Sequence, residues 1–326
     1  MNAIVNIGTL IPFAISLSDG IKAAQNEFAS TYVEIGAAIG ANGDPGTFGG
    51  HVPAVALWNA QGQPEYLQLT TVDNDAICIT YVSVSGNGVN WNWMGDTGYT
   101  CGGDWYPSTA KFGSDNYQPR CTWIDADHSD DLHNIALSMH MPDFNGDTGL
   151  TGEFNDNKDL LCNSKARFMQ WRELPANPGQ DSVPPMFNPP LEYNIDGSDK
   201  DISAIFKPGK VSKRDVPTFS NSTANIDHSI NRPGHVVISD FKAHTATEVC
   251  GSDTSRGPSF VSTHDGTYCD MSTKTSHPVC SDIVKTGCFD VDALQLVGQR
   301  GRHARDVAAR GVQQQYNTHE RWTPAQ

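Results

Sequence analysis

The sequence predicts a mainly β fold, with a β-sandwich-like N-terminal domain and a small disulfide-rich C-terminal module. Three observations predict it: apolar residues recur with period two in short segments, helical periodicity is scarce, and the eight cysteines form two groups of four. A chain of 326 residues is long enough for two domains.

The predicted strands of the first domain alternate with turn residues. Residues 54–58 and 66–69 flank a turn-forming stretch, and residues 135–141 and 168–172 each alternate between apolar and polar side chains. Residues 77–84 are apolar on both faces, which is typical of a central, covered strand. Many short strands with frequent turns favour a sandwich or a barrel.

The composition divides the chain into five segments. Residues 1–24 are apolar enough for a signal peptide, although a buried helix or strand is the alternative. We expect an acidic β-rich domain at 25–175, a proline-rich linker at 176–231, a cysteine-rich module at 232–298 and a basic flexible tail at 299–326.

The net charge of −15 lies entirely in residues 1–211, which carry 25 acidic and 10 basic residues. Such a surface repels phosphate backbones, so nucleic acid is not an expected partner. A glycan or an extracellular protein is expected instead. After the N-terminus no apolar run reaches the length that spans a membrane.

The even number of cysteines and the absence of any C-x-x-C spacing favour disulfides over zinc, and therefore a secreted protein. Each half allows three pairings; we favour Cys101 with Cys121, Cys78 with Cys162, Cys250 with Cys269, and Cys280 with Cys288. A bond between the halves would contradict two modules.

Asp143, Asn145 and Asp147 place oxygen ligands at alternate positions, as calcium loops do, and are expected to converge on one exposed loop. The glycines do not stand where such a loop needs its sharp turn, so a polar turn is the alternative. No cofactor other than calcium is predicted.

Carboxylates and histidines also cluster further upstream. Asp125 and Asp127 would share one face of a strand and could act as an acid and base, with Asp130, Asp131, His128 and His133 close by. A solvated loop explains the same residues. The histidine spacing, with His140 included, matches no metal motif.

Four aromatic residues lie among glycines and suggest either a surface that stacks on sugar rings or core anchors beside disulfides: Trp91, Trp93, Trp105 and Tyr106. Within the predicted linker, Lys213 and Arg214 form a dibasic pair that a processing protease could cleave. Asn221 begins an N-x-S/T glycosylation sequon.

Two groups of residues carry a resemblance. Residues 100–106 (TCGGDWY) and 116–125 (NYQPRCTWID) form the first, and residues 257–262 (GPSFVS) and 268–271 (YCDM) with Cys280 the second. The chain resembles uncharacterised cysteine-containing secreted proteins of filamentous fungi. The resemblance implies secretion and cysteine pairing, but no activity and no functional residue.

These observations favour a secreted, non-catalytic binding or structural protein, associated with a cell wall or a glycan. Two alternatives remain open. One is a secreted hydrolase that uses the carboxylates near Asp125, and the other is a precursor that releases a small C-terminal effector after Lys213–Arg214.

Overall fold

The computed structural model forms two compact units, Met1–Asp227 and His228–Gln326. It describes residues 4–6, 32–40, 54–58, 65–71, 76–86, 89–173, 185–187, 191–192, 199–201, 229–298 and 315–324. The chain is mainly β, as the sequence predicts.

The first unit contains ten described strands: β1 Ile4–Asn6, β2 Tyr32–Gly40, β3 Ala54–Trp58, β4 Tyr66–Thr70, β5 Ile77–Gly86, β6 Val89–Met94, β7 Trp105–Tyr106, β8 Cys121–Ile124, β9 Ala136–His140 and β10 Phe168–Trp171. Its helical segments are short: α1 Asp96–Thr100, α2 Thr148–Asp156 and α3 Asp159–Cys162, with 3-10 turns at Ser129–Asp131 and Met141–Phe144.

These strands form two antiparallel sheets. One has the order β1-β2-β5-β8-β7, with β6 also paired to β5, and the other has the order β10-β9-β4-β3. Val82 lies opposite Trp93, and Val84 opposite Trp91, so these four side chains share one face of the first sheet. Trp93 stacks on Phe168 of the second sheet with ring centroids 5.8 Å apart. The sandwich core therefore lies between the two sheets.

The second unit contains the strands β11 His235–Ser239, β12 Ser259–Ser262, β13 Thr267–Asp270, β14 Thr275–Pro278, β15 Cys288–Asp290, β16 Gln295–Val297 and β17 Thr318–Trp322, and the helix α4 Ala246–Gly251. Five strands form a sheet of order β14-β13-β12-β11-β17, in which β11 runs parallel to both β12 and β17. Helix α4 connects β11 to β12, as parallel neighbours require.

All eight cysteines are paired, and every bond lies within one unit, which confirms that part of the prediction. The bonds Cys250–Cys269 and Cys280–Cys288 are those expected. The pairing expected for the first unit is wrong, because the bonds are Cys78–Cys121 and Cys101–Cys162. The register of β5 on β8, with Cys78 opposite Trp123, brings Cys78 next to Cys121.

Parts of the predicted linker and of the predicted tail pack against the folded units, although the sequence predicts extended chain there. Asp199, in the predicted linker, is buried in the first unit, and Thr318–Trp322, in the predicted tail, completes the sheet of the second. Prolines prevent a regular strand but not the burial of single side chains. In the predicted signal peptide, Ile4–Asn6 pairs with β2.

None of the helices in the described ranges is long and apolar enough to cross a membrane.

Candidate functional site

The aromatic residues predicted as a sugar-binding surface belong to the core. Trp91 is 2% exposed, Trp105 1%, and Trp93 and Tyr106 have no exposed surface. A stacking surface must present its rings to solvent, so the glycan prediction for these residues is wrong and the alternative of core anchors is confirmed.

The prediction that Asp143, Asn145 and Asp147 share one exposed loop is also wrong. Asp143 is buried, whereas Asn145 is half-buried and Asp147 is exposed, and both make local hydrogen bonds. Asp147 Oδ1 accepts from the main-chain N–H groups of Gly149 and Leu150, which makes Asp147 the N-cap of α2. Asn145 Oδ1 accepts from the N–H of Asp147. The three side chains therefore serve different purposes.

The carboxylate of Asp143 belongs instead to a buried charge cluster, which we define as His140, Asp143, Arg167 and Asp199. Arg167 Nη1 donates to Asp143 and, at 2.6 Å, to Asp199 Oδ2. His140 Nδ1 lies 2.7 Å from Asp143 Oδ2 and 3.5 Å from Asp199 Oδ2. All four side chains are fully buried.

Aromatic rings enclose the buried charge cluster. Tyr66 packs on His140 with ring centroids 4.7 Å apart, and its hydroxyl accepts from the N–H of Phe187. The Phe187 ring also lies 5.1 Å from the Arg167 guanidinium. This enclosure removes water, and burial followed by the charge of Asp143 raises the pKa of Asp199 to about 6.

His140, Asp143 and Asp199 also have the spacing of a metal site, with potential ligand atoms within 4.8 Å of one another. Arg167 hydrogen-bonds to both carboxylates, so its guanidinium already supplies the positive charge that a cation would bring. We therefore interpret this group as an ion-pair cluster and not as a metal centre.

The loop after β8 holds the second polar cluster. Asp125 is completely buried, while Asp127 is exposed. Both carboxyl groups converge on Ser129, whose hydroxyl donates to Asp125 Oδ2 at 3.0 Å and whose N–H donates to Asp127 Oδ1 at 3.1 Å. Asp125 Oδ1 has no hydrogen-bond donor among the residues that the structure describes. The structure thus brings together the two carboxylates that the sequence singled out.

Burial, together with the nearby charge of Asp127, raises the pKa of Asp125 to about 7. The backbone of the loop is unusual too: His128, Asp130 and Asp131 have φ values of 59°, 54° and 61°. Histidine and aspartate are among the residues that tolerate this left-handed conformation best. The turn folds the loop back, so that the Asp125 N–H donates to Asn134 O at 2.7 Å.

Two histidines of this loop are held through Nδ1. His133 Nδ1 lies 2.8 Å from Oδ2 of Asp104, which is 1% exposed, and His128 Nδ1 lies 3.1 Å from Leu132 O. The His133 side chain is 46% exposed. Sequence reasoning missed Asp104 because it lies far from the loop in the sequence, on the strand-like segment next to Trp105.

In the second unit a serine and a histidine meet. Ser239 Oγ lies 2.8 Å from His244 Nδ1, and both residues are buried. Asp240 does not extend the pair, because its carboxylate binds Arg321 and Thr263. The contact holds the turn at the end of β11, and Asp240 is not the third member of a triad.

We expect replacement of Asp125 by asparagine to change the pH dependence of stability. The folded-state pKa of about 7 lies above the ordinary value of 3.8. The bound proton therefore stabilises the folded state fully below pH 3.8, and this stabilisation is lost as the pH rises through 7. The asparagine side chain of the variant has no charge to bury. The stability of the variant relative to wild type should therefore rise by about 2 kcal/mol between pH 5 and pH 8.

Urea unfolding at the two pH values measures this difference. Asp131→Asn is the matched control, because it removes a carboxylate from the same loop at an exposed position where asparagine tolerates the positive φ. Equal pH profiles for wild type and Asp125→Asn would show that Asp125 has no raised pKa.

The dibasic pair Lys213–Arg214 and the sequon at Asn221 lie outside the described residues, so processing and glycosylation stay predictions.

No protein-family description, curated protein or solved structure matches the chain.

Proposed function

We propose that the chain is an extracellular protein with a binding or structural role rather than a catalytic one. The observation that carries the proposal is the pairing of all eight cysteines, two bonds in each unit. Such bonds form and persist in oxidising compartments and are rare in the cytosol. They stabilise a chain that acts without chaperones or repair outside the cell.

The alternative of a hydrolase depends on Asp125, and burial disfavours it. An acid or base must come within hydrogen-bond distance of the group that it protonates. Asp125 has no exposed surface, so a polymeric substrate cannot reach it while the loop keeps this conformation. Asp127, whose carboxyl shares Ser129 with Asp125, lies on the surface and remains within reach of a substrate.

A protein with a basic surface fits the charge of the chain better than a glycan. The net negative charge lies in residues 1–211, and complementary charge speeds encounter between proteins. The four aromatic residues that suggested sugar binding are core residues and no longer support a glycan.

The experiment compares protein exported by a eukaryotic secretory host with its Asp125→Asn, Asp127→Asn and Asp131→Asn variants. We expect no thiol that reacts with a maleimide, and no hydrolysis of polysaccharide, peptide or ester substrates that depends on these residues. Turnover that is lost in the Asp125 and Asp127 variants but kept in the Asp131 variant would overturn the non-catalytic role. Reactive thiols throughout would overturn the extracellular one.

A further inference from the structure

The loop after β8 holds two neighbouring carboxyl groups that no basic side chain of the described residues balances. Asp125 is completely buried and Asp127 is exposed, and none of the ion pairs among the described residues includes either side chain. Burial and then the charge of Asp127 raise the pKa of Asp125 to about 7. The loop differs in this respect from the buried charge cluster, where Arg167 bonds to both carboxylates.

One carboxylate oxygen of Asp125 is buried without a hydrogen-bond donor. Oδ2 accepts from the Ser129 hydroxyl at 3.0 Å, but Oδ1 has no donor among the residues that the structure describes. The carboxyl group is directed at Ser129 and Asp127, so its second oxygen faces the same part of the loop. A buried polar atom of this kind needs a partner such as a water or an ion. A water molecule would satisfy Oδ1 but would not balance two carboxylates, whereas a cation does both.

The order of residues in this loop supplies oxygen atoms at the positions that a calcium loop uses. Asp125, Asp127 and Ser129 stand at its first, third and fifth positions. The sixth residue of such a loop makes a sharp turn, and Asp130 at that position has φ 54° and ψ 29°. At residues 143–147 the same spacing leads to side chains with separate partners, whereas here the first and third side chains both bond to Ser129.

We propose that Asp125, Asp127 and Ser129 form a site for one calcium ion, with Asp125 as its buried ligand and Asp127 as its exposed ligand. All three side chains offer oxygen, which calcium binds, whereas zinc favours nitrogen and sulfur. Magnesium keeps several waters when it binds, and Oδ1 of Asp125 is shielded from solvent. The calcium site does not depend on the proposed extracellular role and is tested separately.

The affinity of the calcium site should be low. A calcium loop of high affinity ends on a bidentate glutamate at its twelfth position, and the residue at that position is Ala136. We therefore expect a Kd of about 0.1–1 mM, as in extracellular calcium modules. Because the ion binds only the folded loop, about 10 mM calcium should lower the equilibrium constant for unfolding of the first unit by about 10- to 100-fold.

Titration calorimetry of the full chain with calcium chloride at pH 8, where Asp125 is mostly ionised, measures the affinity, and urea unfolding with and without calcium measures the stabilisation. Asp125→Asn and Asp127→Asn should each weaken binding at least about tenfold, because each removes one of two carboxylate ligands. The exposed position of Asp127 makes its variant the one least prone to misfold. Asp131→Asn is the matched control, since it removes an exposed carboxylate of the same loop that is not a proposed ligand, and it should bind calcium like wild type.

A wild-type chain with no heat of calcium binding and no calcium-dependent change in unfolding would overturn the site, and would leave only a carboxyl pair that shares a proton. A folded Asp127→Asn variant that binds calcium like wild type would overturn it as well, because the ion would then lie elsewhere. Equal losses in Asp127→Asn and Asp131→Asn would show a diffuse attraction to the acidic surface and not a site.

Discussion

Replacement of Cys78 and Cys121 together by alanine should lower the free energy of unfolding of the first unit by about 2–5 kcal/mol. Both cysteines are fully buried, and their bond joins β5 to β8 across 43 positions of sequence. The loss comes mainly from the unfolded chain, which gains conformational freedom when the bond is absent. Guanidinium unfolding followed by the fluorescence of the buried tryptophans measures it.

The matched control is the double variant Cys280→Ala and Cys288→Ala. Its bond closes a loop of only 8 positions in the second unit, so the loss should be smaller by about 1 kcal/mol and should leave the first unit unaffected. An equal or greater loss in this control, or an unchanged first unit in the other variant, would contradict the account.

Replacement of Arg167 by methionine should destabilise the first unit by about 3–5 kcal/mol at neutral pH. Methionine fills a similar space but leaves Asp143 and Asp199 buried without the guanidinium that bonds to both. An uncompensated buried charge costs far more than the loss of an exposed ion pair. Denaturant unfolding at neutral pH is the measurement.

Arg321→Met provides the comparison for Arg167→Met. Arg321 pairs with Asp240 at 2.9 Å, but the two side chains are 48% and 23% exposed, so the expected loss is within about 1 kcal/mol. If Arg167→Met proved as mild as Arg321→Met, the buried charge cluster would not stabilise the fold.

Strand positions could be predicted from the sequence because the core face imposes period two on the side chains. Residues 66–69, 77–84 and 168–172 fall on β4, β5 and β10 for this reason. Disulfide pairing in the first unit could not be predicted from the sequence, because it depends on the register of β5 against β8. The order of cysteines in the chain does not encode that register. In the second unit the favoured pairing linked neighbouring cysteines, and these bonds are the ones found.

The candidate site was predictable only where its partners are close in sequence. Asp125 and Asp127 meet through Ser129, four and two positions away. The role of Asp143 was not predictable, because its partner Arg167 lies 24 positions further along the chain. Spacing alone made residues 143–147 similar to a calcium loop, whereas the direction of each side chain is set by the turn after β9.

The predicted basic tail is a further case in which sequence composition did not reveal the packing of particular residues. The arginines between residues 300 and 310 dominate its composition, but Tyr316 and Trp322 supply the apolar surface that docks residues 315–324. Tyr316 bonds to the Tyr268 hydroxyl at 2.5 Å, and Trp322 packs against Phe260. These two aromatic residues, together with the backbone pairing of β17 with β11, attach the strand to the sheet.

The central claim, an extracellular chain of two units that are each closed by their own disulfides, is tested most directly by non-reducing peptide mapping of protein exported by a eukaryotic secretory host. The account predicts Cys78–Cys121 and Cys101–Cys162 in the first unit, Cys250–Cys269 and Cys280–Cys288 in the second, and no free thiol. A bond that joins a cysteine of one unit to a cysteine of the other, or unpaired thiols in the exported protein, would contradict it.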